Sequence, residues 1–261
     1  MATRIYYFTG TGNSLWAART LAERLGAAEP TPVVRALAEG SLAPTEERIG
    51  LVCPVYMYRL PYLVRDFLDK LQAQAPLFVV LTGGGDAGDA FVHIQRQCAA
   101  RGLDLGQGLF CPVVSNYTPF GPAPEPARQA ELLAAATARL EEIAGVIERG
   151  ERVVETAHSA LRAWLHPGLL YRLGYKYIPV TDKGFRVDPA CNACGLCARV
   201  CPVDNIALVE GHPTWKNACQ QCLACMQWCP TEAIQVKEKT RGLRRYHHPE
   251  VKVRDLLAQK G

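Results

Sequence analysis

The stretch RIYYFTGTGNSLW, Arg4–Trp16, runs from an apolar, aromatic segment through a turn of glycines and hydroxyls into a helical pattern. RIYYF reads as a strand, and a helix follows from Ser14 to Leu25. The alternation continues outward to about residue 120 with PVVRAL, RIGLVCPV, a helix from Leu60 to Leu71, PLFVVL, a helix from Phe91 to Arg101, then GLFCPVV. Strands and helices in turn predict a parallel sheet wrapped on both faces, here a five-stranded doubly wound α/β domain. Between 125 and 149, Ala130, Leu133, Ala136, Leu140, Ile143 and Ile147 recur every three or four positions, the mark of a last helix with one buried stripe.

The turn Phe8–Ser14 offers backbone amides and a helix N-terminus to an anion. No Lys follows its glycines, so it is not the Walker A loop, and Leu15 breaks the dinucleotide pattern G-x-G-x-x-G. Hydroxyls are abundant instead. A buried dianionic phosphate without a cation needs several donors, and the group of Thr9, Gly10, Thr11, Gly12, Asn13 and Ser14 supplies them, which points to the phosphate of flavin mononucleotide (FMN). In a doubly wound sheet of order 2-1-3-4-5 the ligand crevice lies at the carboxyl ends of the strands, between strands 1 and 3. The loop after strand 3, CPVYMYRLP, brings Pro54, Val55, Tyr56 and Met57, with Tyr58 as a further stacking candidate. The loop after strand 4, TGGGDAGDA, brings Gly83, Gly84, Gly85 and Asp86, whose carboxylate would act on a flavin ring if it pointed inward.

Far along the chain, CNACGLCARVCP starts at Cys191, and CQQCLACMQWCP repeats its spacing 28 residues later from Cys219. A structural zinc usually takes two well-separated cysteine pairs. Three cysteines at two-residue gaps in one loop suit instead three iron corners of a cubane. C-x2-C-x2-C-x3-C-P is the two-cluster run in which the fourth cysteine ligates the other cluster. Cys191, Cys194, Cys197 and Cys229 would then hold one 4Fe-4S cluster, and Cys219, Cys222, Cys225 and Cys201 the second. Ile206 and Ile234 occupy equivalent positions suited to covering the clusters, ALVEGHPTW between the copies reads as a hairpin turning at Gly211, and Trp215 and Trp228 would exclude water. The three scattered cysteines, Cys53, Cys98 and Cys111, read as small buried side chains.

With 49% hydrophobic and 21% charged residues the chain has the composition of a globular protein, and no apolar run reaches the length of a membrane span. The N-terminus lacks the pattern of a secretory signal, and clustered cysteines belong to a reducing compartment, so a cytoplasmic location is expected. The formal charge of +4 sits in the tail, where residues 237–261 hold eight Lys/Arg against three Asp/Glu. Four segments result: 1–150, the flavin-binding sheet domain; 151–184, a connecting helical arm; 185–236, a small α+β domain with the cysteine repeats; and 237–261, a basic tail open to solvent or to docking an acidic partner. Within the arm, Trp164, Leu165, Leu169 and Leu170 with Arg162, Arg172 and Lys176 suit packing between domains better than a membrane surface.

YYFTGTGNS, SNYTPF, the paired cysteine repeats and RYHHPE together resemble a family of bacterial and archaeal fusion proteins, EFR-type, that join a flavodoxin-like half to a bacterial two-cluster ferredoxin half. The resemblance implies an electron-transfer protein working between FMN, two 4Fe-4S clusters and a separate redox partner protein. Charge favours a protein partner and no nucleic acid, no transmembrane segment is expected, and peripheral membrane contact is disfavoured. A flavoenzyme reducing a small molecule at the FMN, with Tyr58, Tyr117 or His93 as proton donor, is the alternative. A third reading is a sheet domain that has lost its flavin and serves as a scaffold.

Overall fold

The computed structural model describes residues 1–40, 42–155 and 168–260, with side chains from 173 onward in the last stretch. Six parallel strands form the main sheet in the order β2-β1-β3-β4-β5-β6. They are β1 (Thr3–Tyr7), β2 (Thr31–Pro32), β3 (Arg48–Pro54), β4 (Leu77–Gly83), β5 (Leu105–Pro112) and β6 (Val153–Val154). The helices α1 (Asn13–Arg24), α2 (Val33–Glu39), α3 (Tyr62–Lys70), α4 (Ala90–Ala100) and α5 (Pro126–Glu148) connect them.

Alternation along each strand divides the core. Ile5, Tyr7, Val52, Phe78 and Val80 meet α1 and α5, while Tyr6, Phe8, Leu51, Cys53, Val79 and Leu81 meet α3 and α4. A strand covered on both faces must be apolar throughout, which is why β3 and β4 read as continuous hydrophobic runs. Cys53, Cys98 and Cys111 lie in this core as expected, and burial pushes the Cys98 thiol up to about 11 and Cys111 to about 12.

Two expectations about the sheet change. PVVRAL is not a strand: only Thr31 and Pro32 pair with β1, and the chain is helical from Val33 until Gly40 stops it at φ 67°. Two adjacent valines suggest a strand, but Val33 and Ala36 bury one helical face, and Arg35, Leu37, Ala38 and Glu39 are good helix formers. The sheet also gains a sixth strand, since Val153 and Val154 pair with Gln107 and Gly108 after α5 returns the chain to the sheet edge. Two apolar residues flanked by charges are too few to show a period.

The arm contains a helix, Gly168–Tyr177, and a 3-10 segment, Ile178–Gly184. Tyr175 stacks on Tyr62 with ring centroids 4.5 Å apart and donates its hydroxyl to Leu60 O at 2.7 Å, so the arm packs on the loop after β3. Trp164, Leu165, Leu169, Leu170, Arg162 and Arg172 lie outside the described side chains.

The cysteine repeats are visible in the backbone. Ala193 and Gln221 (φ 56° and 55°), Gly195 and Leu223 (70° and 58°), and Asp204 and Glu232 (50° each) are left-handed at matching positions. A short helix follows each loop, Leu196–Arg199 and Ala224–Gln227. Strand Phe185–Val187 pairs with Ile234–Val236, and the expected hairpin joins Ile206–Val209 to His212–Trp215 through left-handed Glu210 and Gly211.

Candidate functional site

A cavity of about 170 Å³ opens at the carboxyl ends of β1, β3, β4 and β5. Thr9, Gly10, Thr11, Asn13 and Ser14 form its floor, Pro54, Val55, Tyr56 and Met57 one wall, and Gly83 and Gly84 another. Three residues expected there lie elsewhere. Gly12, at φ 101°, faces away, where a Cβ would lie 2.9 Å from Val251 Cβ and 3.0 Å from His248 Cβ. Gly85 and Asp86 are exposed, and Asp86 Oδ1 accepts the Gly88 N–H at 2.8 Å, closing its own turn.

The loop after β3 owes its shape to a two-residue turn with Met57 and Tyr58 both left-handed (φ 50° and 56°), closed by paired hydrogen bonds of 2.9 Å between Tyr56 and Arg59. Tyr56 and Met57 line the cavity. The Tyr58 ring covers the backbone of Gly88 instead, a place that only a residue without Cβ leaves open.

Hydroxyls dominate the floor. Thr9 Oγ1 accepts the Gly12 N–H at 3.0 Å, Thr11 Oγ1 accepts from Asn116 Nδ2, and Ser14 Oγ lies 2.8 Å from Thr82 Oγ1. Acting as acceptors, Thr9 and Thr11 keep their own O–H protons for another acceptor. The loop carbonyls are occupied from behind: Trp228 Nε1 donates to Gly10 O at 3.0 Å, and the His248 N–H to Thr11 O at 2.8 Å.

Val113, Val114, Ser115, Asn116, Tyr117 and Phe120, on the loop after β5, and Gln221, Cys222 and Leu223, from the second cysteine loop, complete the lining. The motif SNYTPF covers part of the first group. Nothing local in the sequence joins Gln221–Leu223 to Thr9–Ser14, because the juxtaposition is made by tertiary packing. Burial holds the Tyr56 hydroxyl well above its ordinary pKa, and burial followed by Cys219 raises that of Tyr117, whose oxygen accepts from Gln221 Nε2 at 2.8 Å. Of the other proposed proton donors, His93 lines a separate cavity with Arg59, Arg65 and Tyr175.

The C-terminal segment straps this loop down. Tyr246 OH donates to Asn13 Oδ1 at 2.8 Å, His248 stacks on Trp16 at 4.7 Å, His247 stacks on Trp228 at 4.1 Å, and Val251 and Leu256 are buried. Three of its eight cations are met by carboxylates elsewhere in the chain, Arg241 by Asp188, Arg244 by Glu125 and Lys260 by Asp204. The solvated tail is therefore a packed strap.

Burial, and then the nearby charge of His247, lower the His248 pKa from 6.5 to about 4, so the folded chain favours the neutral ring. Its stabilising contribution is complete above pH 6.5 and is lost as pH falls toward 4. A loss of about 3 kcal/mol is expected over that interval, read from urea midpoints against pH, and His248→Gln should remove the dependence.

The eight clustered cysteines divide between two further cavities. Cys191, Cys194, Cys197 and Cys229 line one, with Ile234; Cys201, Cys219, Cys222 and Cys225 line the other, with Ile206 and Trp215. Cys222 and Leu223 line both the second cysteine cavity and the loop cavity. Among the described residues no three His, Cys, Asp or Glu side chains converge closely enough to hold a single metal ion; the thiols ring each cavity instead. Burial pushes the Cys197 and Cys219 thiols up to about 11, so both favour the protonated form at neutral pH. Trp215 Nε1, buried without a partner, borders the second cavity, and the Arg245 Nε and Nη1, also buried without partners, lie within electrostatic reach of Cys229, on a side chain that donates through Nη2 to the carbonyl of Ile234, a residue lining the first cavity. Unpaired buried donors suit a group bearing negative sulfurs.

No protein-family model matches the chain, and no curated protein matches it. Similar solved structures include a flavodoxin from Archaea (13% identity, 55% of this chain and 99% of that one, TM-score 0.37). A cysteine-to-alanine mutant of flavodoxin from Pseudomonas aeruginosa is also similar (16%, 57% and 99%, 0.36), as is an oxidoreductase from Corynebacterium diphtheriae (11%, 57% and 98%, 0.38). These likenesses are slight, and the strand order itself defines the fold of residues 1–155 as a doubly wound parallel α/β sheet.

Proposed function

We propose that the protein is an electron carrier that holds FMN in the loop cavity and a 4Fe-4S cluster in each cysteine cavity, exchanging electrons with a separate redox partner protein. The observation that carries this reading is the crossed division of the cysteines: each cavity draws three from one copy and the fourth from the other, as two-cluster wiring requires. Bound FMN would supply chemistry in pairs of electrons or singly, and the clusters singly.

The residues present fit these groups. Thr9, Thr11 and Ser14 offer hydroxyls to a phosphate, and Tyr56 and Met57 offer apolar cover to a ring. Leu223 takes the left-handed conformation that its counterpart Gly195 adopts freely, a cost of about 1 kcal/mol offset by a side chain that walls two cavities at once. Linking the sites in one chain raises the effective concentration of each at the other. The carrier reading is preferred to a flavoenzyme because two of the three proposed proton donors lie away from the loop cavity, the Tyr58 ring over Gly88 and His93 in another cavity. Among the described residues no helix is long and apolar enough to cross a membrane.

Replacing Thr11 and Ser14 together by Ala should weaken FMN binding by about 100-fold or more, the loss of two charge-assisted hydrogen bonds, while the broad iron-sulfur absorbance persists. Cys197→Ala should do the converse, with about four irons lost and FMN retained. Unchanged flavin affinity in the double variant would move the phosphate elsewhere.

A further inference from the structure

The two cysteine sets differ in surroundings. The set containing Cys222 shares its wall with the loop cavity, and none of its members is exposed. The set containing Cys197 shares no lining residue with the loop cavity, and its Cys194 is exposed, as are the neighbouring Leu208 and Val209 at the hairpin end. The sheet domain, the inner set, the outer set and solvent therefore follow in that order.

Charge differs too. Beside the inner set lies Asp182, 3% exposed, whose Oδ2 accepts from Asn205 Nδ2 at 2.8 Å and the Asn217 N–H at 3.0 Å, whose Oδ1 has no partner, and whose charge acts on Cys219. Beside the outer set lies Arg245. Its Nη2 donates to Ile234 O at 3.1 Å and Gln235 Oε1 at 2.8 Å, its Nε and Nη1 are buried without partners, and it lies within electrostatic reach of Cys229. The carboxylates near it are Glu232, which is exposed, and Asp188, which is bridged to Arg241 at 2.6 Å. A buried cation stabilises the extra negative charge of a reduced cluster, and a buried carboxylate opposes it.

We infer that the outer set is the more easily reduced of the two and that Arg245 makes it so, giving a relay from the flavin cavity through the Cys222 set to the Cys197 set. This rests on the two-cluster reading above. With FMN and both clusters bound, two successive one-electron passes along it would oxidise the reduced flavin by two electrons, release two protons to water, and reduce two molecules of an oxidised one-electron carrier protein at the Cys194 face. Arg245 acts through the cluster's charge and is a positioning residue for the electron.

The test is an EPR-monitored redox titration of the anaerobically purified full chain, alongside Arg245→Gln and Arg245→Lys. Arg245→Gln should shift the reduction equilibrium of the higher-potential cluster at least tenfold toward the oxidised form, about 59 mV for one electron, and leave the other in place. Arg245→Lys should restore most of the shift. A change confined to the lower-potential cluster, or none in either, would overturn the inference while leaving the two-cluster reading intact; a wild type without two reducible clusters would overturn both. Independently of any variant, limited EDTA treatment of the wild type followed by iodoacetamide should label Cys191, Cys194, Cys197 and Cys229 first. Labelling of the Cys222 set first would invert the order of the relay and overturn it.

Discussion

Gly10→Ala is expected to empty the flavin cavity and to destabilise the chain by about 3 kcal/mol, although it adds a single methyl group. A Cβ at this position would fall inside van der Waals contact with the carbonyl oxygen of Cys222 and lie 3.0 Å from its Cβ. The obstacle is backbone, held by the left-handed residues Gln221 and Leu223, so no flexible side chain can swing aside. Either the loop Phe8–Ser14 or the second cysteine loop must retreat. If the loop moves, Gly10 O also leaves Trp228 Nε1 and the receptor geometry is lost. If the cysteine loop moves, the wall shared by the two cavities opens. Urea unfolding and FMN titration of the variant measure both effects. Wild-type flavin affinity would mean that the close approach at Gly10 has no part in the site.

Ending the chain at Lys239 has a still broader expected effect. Tyr246, Val251 and Leu256 are buried, and each buried side chain of this size contributes about 1.5–3 kcal/mol, so the sum rivals the whole stability of an ordinary domain. The truncated chain should bind no FMN and unfold at far lower urea, since Trp16 loses its stack on His248, and Asn13 and Thr11 lose their partners Tyr246 and His248. A tail serving only to dock a partner would leave flavin binding and the urea midpoint unchanged. Tyr246→Phe isolates one contact and should cost about 1 kcal/mol.

What the sequence disclosed followed the regularity of its signals. Alternating residues of β3 and β4 marked a sheet buried on both faces, and the identical spacing of two cysteine runs prescribed the crossed sets found around the two cavities. The loop floor was legible because strand, turn and helix are contiguous. The sequence leaves the Asp86 carboxylate open between cavity and turn, because an Asp followed by Gly two residues on closes a turn as readily as it faces a ligand, and the structure places it in the turn. The strap escaped notice because Tyr246, His248, Val251, Leu256 and Gln259 follow neither a strand nor a helix period and stand among charges. Arg245 was read as one more cation of a basic tail, and only its burial beside Cys229 distinguishes it.

Quantitation of iron, acid-labile sulfide and flavin in anaerobically purified protein tests the central claim most directly. About eight irons, eight sulfides and one FMN per chain are predicted from two cubane clusters and one flavin cavity. Zinc in place of iron, or a chain that retains no flavin when FMN is supplied, would contradict it.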